Sequence, residues 1–274
     1  MDYLSRLNIS ENVYIEDISL YGLSILVCSL SYFVEMIDVR KSYGRREVLK
    51  GITIRAMPGE IFCLVGPNGA GKTTTLRIMA TLAKPSSGSV KIFGVDIVRA
   101  KDLSDIRRKI NYLPEEADVY SRLSGIEYLR FFAELYNMDV EKALETGIKI
   151  SGLSIQDLKR RTGTYSKGMR RRLLIARTLM TEPLLAILDE PTSGLDIFSS
   201  IQIREAIKEY SKEKGSSVVL SSHNMFEVEY LCDRIALIND GEIVGEGSVE
   251  DIKNMTGSKN LEESFAKLVS KAIS

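Results

Sequence analysis

A glycine-rich segment carries the strongest chemical signal in the sequence. It matches the pattern G-x-x-x-x-G-K-[ST] at every fixed position and reads Gly66-Pro67-Asn68-Gly69-Ala70-Gly71-Lys72-Thr73, with Thr74 next. Glycine lacks a Cβ, so the backbone can curl and turn successive N–H groups toward one anion, while the helix-like run that follows adds its positive end. Lys72 supplies a charge for the β- and γ-phosphates, and Thr73 a hydroxyl for Mg²⁺. The segment therefore predicts a phosphate-loop nucleotidase.

A second chemical signal is the pair Asp189-Glu190, which ends the apolar run of residues 184–188. Such a run is typical of a strand buried on both faces of a parallel sheet, where ligands lie beyond the carboxyl ends of the strands. We expect Asp189 beside the phosphate loop, holding Mg²⁺ through water. Glu190 is then placed to orient the water that attacks the γ-phosphate, or to take a proton from it.

The elements that must position these residues alternate between strands and helices. Strand-like runs cover residues 36–39, 52–54, 61–65, 89–93, 184–188, 217–220 and 235–238. Asp240-Gly241 predicts a hairpin turn, and helices are expected over residues 126–136, 140–151 and 167–181. The predicted fold class is therefore α/β: a P-loop NTPase core with a mixed, largely parallel sheet, an antiparallel β flank near the start and an inserted α-helical subdomain.

Composition excludes several classes of protein. The 274 residues hold 37 Lys+Arg and 37 Asp+Glu, so no net charge favours binding to nucleic acid or to an anionic membrane. The three cysteines, Cys28, Cys63 and Cys232, form no C-x-x-C pair, and the chain has one histidine. These counts exclude a disulfide framework and a zinc site, and they suit a reducing compartment.

The first 35 residues are an extension of uncertain role. Residues 18–34 carry no charge, but 17 residues with four Ser among them are short for a membrane-spanning helix. Acidic residues surround the single Arg6, which does not suit a secretory signal. Three interpretations stay open: a strand or helix packed on the main domain, an upstream extension before a natural start at Met36, and a membrane anchor.

From residue 36 to residue 247 the sequence resembles the nucleotide-binding subunits of ATP-binding cassette (ABC) transporters. Its motifs stand in the order of that family: Tyr43, which lies 23 residues before Gly66; the phosphate loop; Tyr112-Leu113-Pro114-Glu115 at the Gln loop; Tyr165-Ser166-Lys167-Gly168-Met169 at the signature; Asp189-Glu190; Ser193-Gly194-Leu195-Asp196 at the D-loop; and Ser221-Ser222-His223 at the switch histidine. The signature together with the D-loop is specific to this family among phosphate-loop proteins.

The resemblance implies two sets of contacts with ATP. Tyr43 offers a flat ring to the adenine. The helix that begins near Ser166 offers free N–H groups and a hydroxyl, and with Lys167 and Gly168 it reaches the γ-phosphate held by a partner subunit. The arginines at 170–172 on this helix are interpreted as a solvated face.

Further roles follow for the residues around the γ-phosphate. The resemblance makes Glu190, His223 and Lys72 the catalytic residues and adds Asp196 to the nucleotide site. It assigns the metal to Thr73, Asp189 and Glu115. Glu115 stands where the family has Gln, so it can accept a hydrogen bond from metal-bound water but cannot donate as an amide does.

The signature and the tail indicate a branch of the family. The YSKGM form, like residues 260–268 near the end, resembles subunits of drug, polysaccharide and sodium exporters. The resemblance divides the chain into the extension at 1–35, an ABC ATPase domain at 36–247 with a helical subdomain at about 116–181, and a helical tail at 248–274. No internal repeat is found, so a chain that holds two cassettes is excluded.

The implied mechanism uses two subunits and a membrane partner. Two cassettes, in a homodimer or a heterodimer, close head-to-tail over two MgATP, each bound between the phosphate loop of one subunit and Ser166–Gly168 of the other. Hydrolysis releases the dimer and drives an integral membrane permease, which must be another chain because this sequence offers no credible span. The protein is then peripheral on the cytoplasmic face of the cell membrane, with no role for nucleic acid.

Two alternatives remain. One is an ABC ATPase of cytosolic machinery such as Fe–S cluster assembly, which would purify with a soluble scaffold. The other is a nucleotide-gated regulatory subunit with negligible turnover, which would release no phosphate.

Overall fold

Two β-sheets and the helices around them make up residues 32–273, the part of the chain that the computed structural model describes. Most of the predicted extension at 1–35, including Cys28, lies outside the described residues. Within them the α/β class with mixed sheets is confirmed. The division at residues 35, 247 and 274 stays a prediction.

The larger sheet carries the carboxyl edge where the site was expected. It consists of β3 (Ile61–Val65), β6 (Ile110–Leu113), β7 (Leu185–Leu188), β8 (Ser217–Ser222), β9 (Arg234–Asn239) and β10 (Glu242–Gly247). The spatial order is β10-β9-β3-β8-β7-β6, and every neighbouring pair except β10–β9 is parallel. Val65 pairs with Ser222 and Leu188 with Leu220, so β3, β7 and β8 end close together.

The central strands of this sheet are largely apolar because both of their faces are covered. In β3, the side chains of Ile61, Cys63 and Val65 pack into one core, while Phe62 and Leu64 pack into a second core on the opposite face. The strands β7, β8 and β9 divide their side chains in the same way. Successive side chains of a strand point to opposite faces, so a sheet covered twice needs an apolar residue at nearly every position.

The smaller sheet is the predicted antiparallel flank. It contains β1 (Val34–Tyr43), β2 (Arg46–Ala56), β4 (Ser87–Ile92) and β5 (Val95–Asp96) in the order β2-β1-β4-β5. The predicted hairpin at Asp240-Gly241 joins β9 to β10 and also links the two sheets. Lys50 N donates to Gly241 O at 2.9 Å, and Gly241 N donates to Ala70 O at 3.0 Å. The turn thereby fixes β2 against the phosphate loop.

The helices fill the connections between strands. They are α1 (Lys72–Met79), α2 (Ser104–Lys109), α3 (Gly125–Leu135), α4 (Val140–Ser151), α5 (Ile155–Lys159), α6 (Lys167–Leu179), α7 (Ile197–Lys214), α8 (Met225–Leu231), α9 (Val249–Thr256) and α10 (Leu261–Ile273). The three helices predicted between residues 116 and 181 correspond to α3, α4 and α6, which pack on one another. Across residues 32–273, no helix combines the length and the apolar character needed to cross a membrane.

Truncation before Met36 tests whether the preceding residues belong to the folded domain. Phe33 is 4% exposed and Val34 is fully buried, and the Phe33 backbone bonds to Ala56 and Phe93. A chain that starts at Met36 is expected to lose about 3 kcal/mol or more of unfolding free energy, because these two apolar side chains are removed from the core. Urea unfolding measures the difference against a matched chain that starts with Met followed by Tyr32. Equal unfolding midpoints would contradict the expectation.

Candidate active site

The phosphate loop joins β3 to α1 in a conformation that depends on glycine. A Cβ at Gly66 would overlap the carbonyl oxygen of Ile238 in the neighbouring strand. Gly71 precedes α1 with φ +110°, a backbone conformation that side chains with a Cβ rarely adopt. Close approach at one end of the loop and a left-handed turn at the other therefore explain the glycines at both fixed positions.

Lys72 begins α1 and is buried under this loop, with 6% of the residue exposed. Its Nζ donates to Gly66 O at 2.7 Å and to Pro67 O at 3.2 Å. The same Nζ lies 3.1 Å from Oε1 of Glu190. Carbonyl oxygens of the loop thus hold the ammonium group, which faces an acidic side chain that follows another strand.

Glu190 follows β7 and combines a positive φ with a buried side chain. Its backbone has φ +47°, an uncommon value for a residue other than glycine, and only 5% of the residue is exposed. Oε2 lies 2.8 Å from Nδ1 of His223. A carboxylate can only accept, so this contact places the imidazole proton on Nδ1. One buried carboxylate therefore lies between Lys72 and His223.

Asp189 is fully buried beside it and is held by hydroxyl groups. Ser221 Oγ donates to Oδ1 at 2.6 Å, and Tyr112 OH donates to Oδ2 at 3.2 Å. Burial, together with the charge of Asp189, raises the pKa of Tyr112 to about 12, so the phenol keeps the proton that it donates. Ser221 Oγ also accepts from Glu190 N at 2.9 Å, which connects both acidic residues to β8.

A cavity of about 380 Å³ brings most of the predicted nucleotide-binding residues together. Its lining contains Tyr43, Asn68, Gly69, Gly71, Lys72, Thr73, Thr74, Glu115 and Glu190. Two further lining residues, Arg46 and Val48, were missed by the sequence analysis. Arg46 pairs with Tyr43 across the β1–β2 hairpin, a register that the sequence analysis did not predict.

The predicted signature and D-loop residues lie outside that cavity. Ser166 caps α6, where its Oγ accepts from Met169 N at 3.2 Å, and Asp196 caps α7 in the same way through Ser199 N at 2.9 Å. Gly168 is packed so closely on Ser199 that a Cβ would overlap its hydroxyl. Lys167 lies in a second cavity of about 550 Å³, which Glu115 and Glu190 also line.

Glu227 on α8 connects two motifs that sequence reasoning treated separately. Asn224 caps this helix, and its Oδ1 accepts from Phe226 N at 3.1 Å and from Glu227 N at 3.3 Å. The Glu227 side chain itself accepts from Thr192 Oγ1 at 2.5 Å and from Ser222 Oγ at 2.9 Å. Burial raises the pKa of Glu227. The Glu227 carboxyl group thus joins Thr192, the residue before the D-loop, to Ser222, the residue before His223.

The interpretation of the arginines on α6 as a solvated face is wrong for Arg171. This side chain is buried, with 7% of the residue exposed, and desolvation lowers its pKa to about 10. It still carries its charge at neutral pH. Arg172 is half-buried and donates to Ser151 O at 2.7 Å. Polar periodicity on a helix gave no signal for the burial of Arg171 and Arg172, because their acceptors lie 18 to 57 residues away in sequence.

Comparison with known proteins decides the family. A family model described as ABC transporter matches residues 49–193. The linearmycin resistance ATP-binding protein LnrL of Bacillus subtilis is 36% identical over 227 residues, which cover 82% of this chain and 72% of the relative. The chain belongs to the ABC transporter family. It is an ATPase of that family, and ATP is its nucleotide.

Two further comparisons place this ABC ATPase among transport cassettes. The bacitracin transport ATP-binding protein BcrA of Bacillus licheniformis is 34% identical over 224 residues, 82% of this chain and 72% of the relative. A solved dimeric ATP-binding cassette, described in a post-hydrolysis state with ADP and Pi, superposes with a TM-score of 0.70 at 27% identity. That match covers 78% of this chain and 98% of the other. LnrL and BcrA are both of the drug-exporter branch, so the resemblance to that branch predicted from the sequence is confirmed.

Substitution of Ser221 tests the anchoring of both acidic residues. Ser221→Ala removes the donor to Asp189 and the acceptor of Glu190 N, and it leaves two buried polar groups unpaired. We expect the unfolding free energy to fall by roughly 2–4 kcal/mol and kcat for ATP to fall with it. Ser211→Ala is the matched control, because the hydroxyl of this buried serine on α7 donates a hydrogen bond of 2.9 Å to Ser216 O, away from the site. Equal kcat for the two folded variants would contradict the anchoring role.

Proposed function

We propose that this chain is the ATP-hydrolysing subunit of an exporter, which drives a separate membrane permease through ATP-dependent head-to-tail dimerisation. The observation that carries the proposal is the contact chain Lys72–Glu190–His223. One buried carboxylate lies 3.1 Å from Nζ and 2.8 Å from Nδ1, at the edge of the sheet where the phosphate loop begins. This is where a γ-phosphate and its attacking water would meet.

ATP would occupy the 380 Å³ cavity with its adenine on the ring of Tyr43, a residue that is half exposed. The phosphates would accept hydrogen bonds from the backbone N–H groups of the loop. Lys72 would then exchange its contact with Glu190 for the β- and γ-phosphates. That exchange leaves the carboxylate available as the proton acceptor.

Hydrolysis would proceed by in-line attack of water on the γ-phosphorus. The oxygen of water forms the new bond, the bond to the β,γ-bridging oxygen breaks, and ADP keeps its electron pair. Glu190 takes the proton of the water, and His223 holds the carboxylate through Nδ1–H. Lys72 would neutralise charge on the β- and γ-phosphates as the bond between them breaks.

The residues around Asp189 fit Mg²⁺. Thr73 would contribute a hydroxyl and Asp189, buried at the end of β7, a carboxylate. Thr73 and Glu115 line the nucleotide cavity, where Glu115 would reach the metal through water. Within residues 32–273 no group of three or more His, Cys, Asp or Glu side chains could hold a metal alone. This suits Mg²⁺, which is usually bound through few carboxylates, waters and substrate phosphates. Bound Mg²⁺ neutralises charge on the β- and γ-oxygens.

The second cassette is proposed from the exposed signature. Ser166 and Lys167 are exposed at the start of α6, yet neither they nor Asp196 line the cavity of the phosphate loop. In a head-to-tail dimer they would complete the site of the partner subunit. The dimeric state described for the solved cassette supports this arrangement.

A permease contact is proposed on the helical region, residues 116–181. Tyr120 is 51% exposed, Phe131 42%, Leu135 59% and Tyr136 44%. Exposed apolar side chains grouped in this way mark interaction surfaces. The relatives named for linearmycin resistance and bacitracin transport support an export role, with the protein peripheral on the cytoplasmic face of the membrane.

Glu190→Gln tests the assignment of the general base. The amide keeps the size of the side chain but cannot take a proton, so kcat is expected to fall by roughly 10²-fold or more while MgATP affinity is kept. The closed dimer should accumulate with ATP. Phosphate release, equilibrium nucleotide binding and gel filtration measure the three quantities.

The control for this variant is Glu141→Gln on α4, where the side chain is 78% exposed. It makes the same chemical change away from the site and is expected to leave kcat unchanged. Full turnover in Glu190→Gln would refute the role given to Glu190.

Complementation tests the head-to-tail arrangement. Lys72→Ala disables the phosphate loop, and Ser166→Glu places a negative charge where the signature would meet the partner's γ-phosphate. Each variant alone should be inactive. Mixing them creates heterodimers in which one of the two sites has an intact loop and an intact signature, so ATPase activity should return. A mixture that forms dimers but stays as inactive as its parents would contradict the shared site.

A further inference from the structure

The guanidinium group of Arg171 connects its own helix, α6, to two other segments around the site. Nη2 donates to Asp189 O at 2.7 Å and Glu190 O at 3.0 Å, and Nε donates to Pro191 O at 3.0 Å. Nη1 donates to Pro114 O and Glu115 O, both at 3.1 Å. A guanidinium has five N–H donors, and all five are used here. The acceptors are consecutive carbonyls at the ends of β7 and β6.

The identity of the residue matters because of this geometry. The donors of arginine form a rigid planar fork, whereas the ammonium of lysine is a point charge with three donors. A buried charge without partners is strongly unfavourable, so the five carbonyls and the guanidinium require one another. Any displacement of α6 must therefore carry the two strand ends with it or break several buried hydrogen bonds.

The two acceptor segments include Glu190 and Glu115, two of the predicted site residues. Glu190 is held at φ +47°, a sparsely populated conformation that persists only where surrounding contacts enforce it. Glu115 lines both cavities and occupies the place of the family's Gln loop. Arg172, the next residue on α6, instead bonds to Ser151 O and to Gln202 Oε1 at 2.8 Å, away from both strand ends.

We propose that Arg171 is a positioning residue for ATP hydrolysis, which fixes the Glu190 backbone and couples it to the signature helix α6. The inference rests on the proposed function, since it gives the signature a mechanical path to the general base. Engagement of Ser166 by the partner's nucleotide acts on the first turn of α6. Arg171 lies in the second turn and transmits that movement to the carbonyls of Glu115 and Glu190.

The test compares Arg171→Lys and Arg171→Gln with the matched control Arg172→Lys on the same helix. Steady-state phosphate release gives kcat and KM, binding of a trinitrophenyl-ATP probe gives nucleotide affinity, and circular dichroism gives the folded fraction. Both Arg171 variants are expected to bind the probe like wild type and to keep KM, with kcat lowered at least ~10-fold, because a small displacement of a catalytic group can cost ~10²-fold. Arg171→Lys, which keeps the charge, should lose less than Arg171→Gln.

The outcomes separate this inference from the proposed function. Wild-type protein that hydrolyses ATP, together with Arg171 variants whose kcat equals that of Arg172→Lys, would overturn the positioning role alone. Loss of folding in both Arg171 variants while Arg172→Lys folds would show a structural role and would also overturn it. Equal turnover in wild type and Glu190→Gln would instead refute the proposed function.

Discussion

The buried carboxylate of Glu190 is the constraint on which the rest of the site depends. A charge that is 5% exposed needs partners, and it has Lys72 on one oxygen and His223 on the other. Glu190 and its two partners follow three different strands. The two contacts form only because β3, β7 and β8 are parallel neighbours that end close together. The electrostatic requirement and the sheet order are therefore two parts of one arrangement.

The same constraint explains why two cores are needed. Parallel strands place their loops at one edge, but they expose two apolar faces that must both be covered. Helices α3 to α10 cover one face, and α1 and α2 together with the antiparallel sheet cover the other. The turn at Gly241, which bonds to Lys50 and Ala70, then locks the second layer onto the phosphate loop. Tyr43 and Arg46 lie at the end of that layer and line the nucleotide cavity.

The sequence predicted what is local and missed what is distant. The phosphate loop and Asp189-Glu190 were predicted as site residues because each is a run of consecutive residues after an apolar strand, and His223 was added by the family resemblance. Arg171 was misread, since a run of arginines on a helix looks solvated until its carbonyl acceptors, 18 to 57 residues earlier or later, are known. The roles of Ser166 and Asp196 need a second chain, which no single fold can supply. They remain predictions.

Two buried side chains explain how distant motifs can act on one carboxylate. Arg171 reaches Glu190 from the signature helix, while Glu227 ties Thr192, the residue before the D-loop, to Ser222, next to His223. Each makes its contacts out of water, where an unpaired polar group is costly, so neither network can be broken in part without penalty. Glu190 accepts directly from Arg171, and it is joined to the Glu227 network through its contact with His223, the residue after Ser222. In the proposed head-to-tail dimer, both networks would therefore connect segments that face the partner subunit to the same residue.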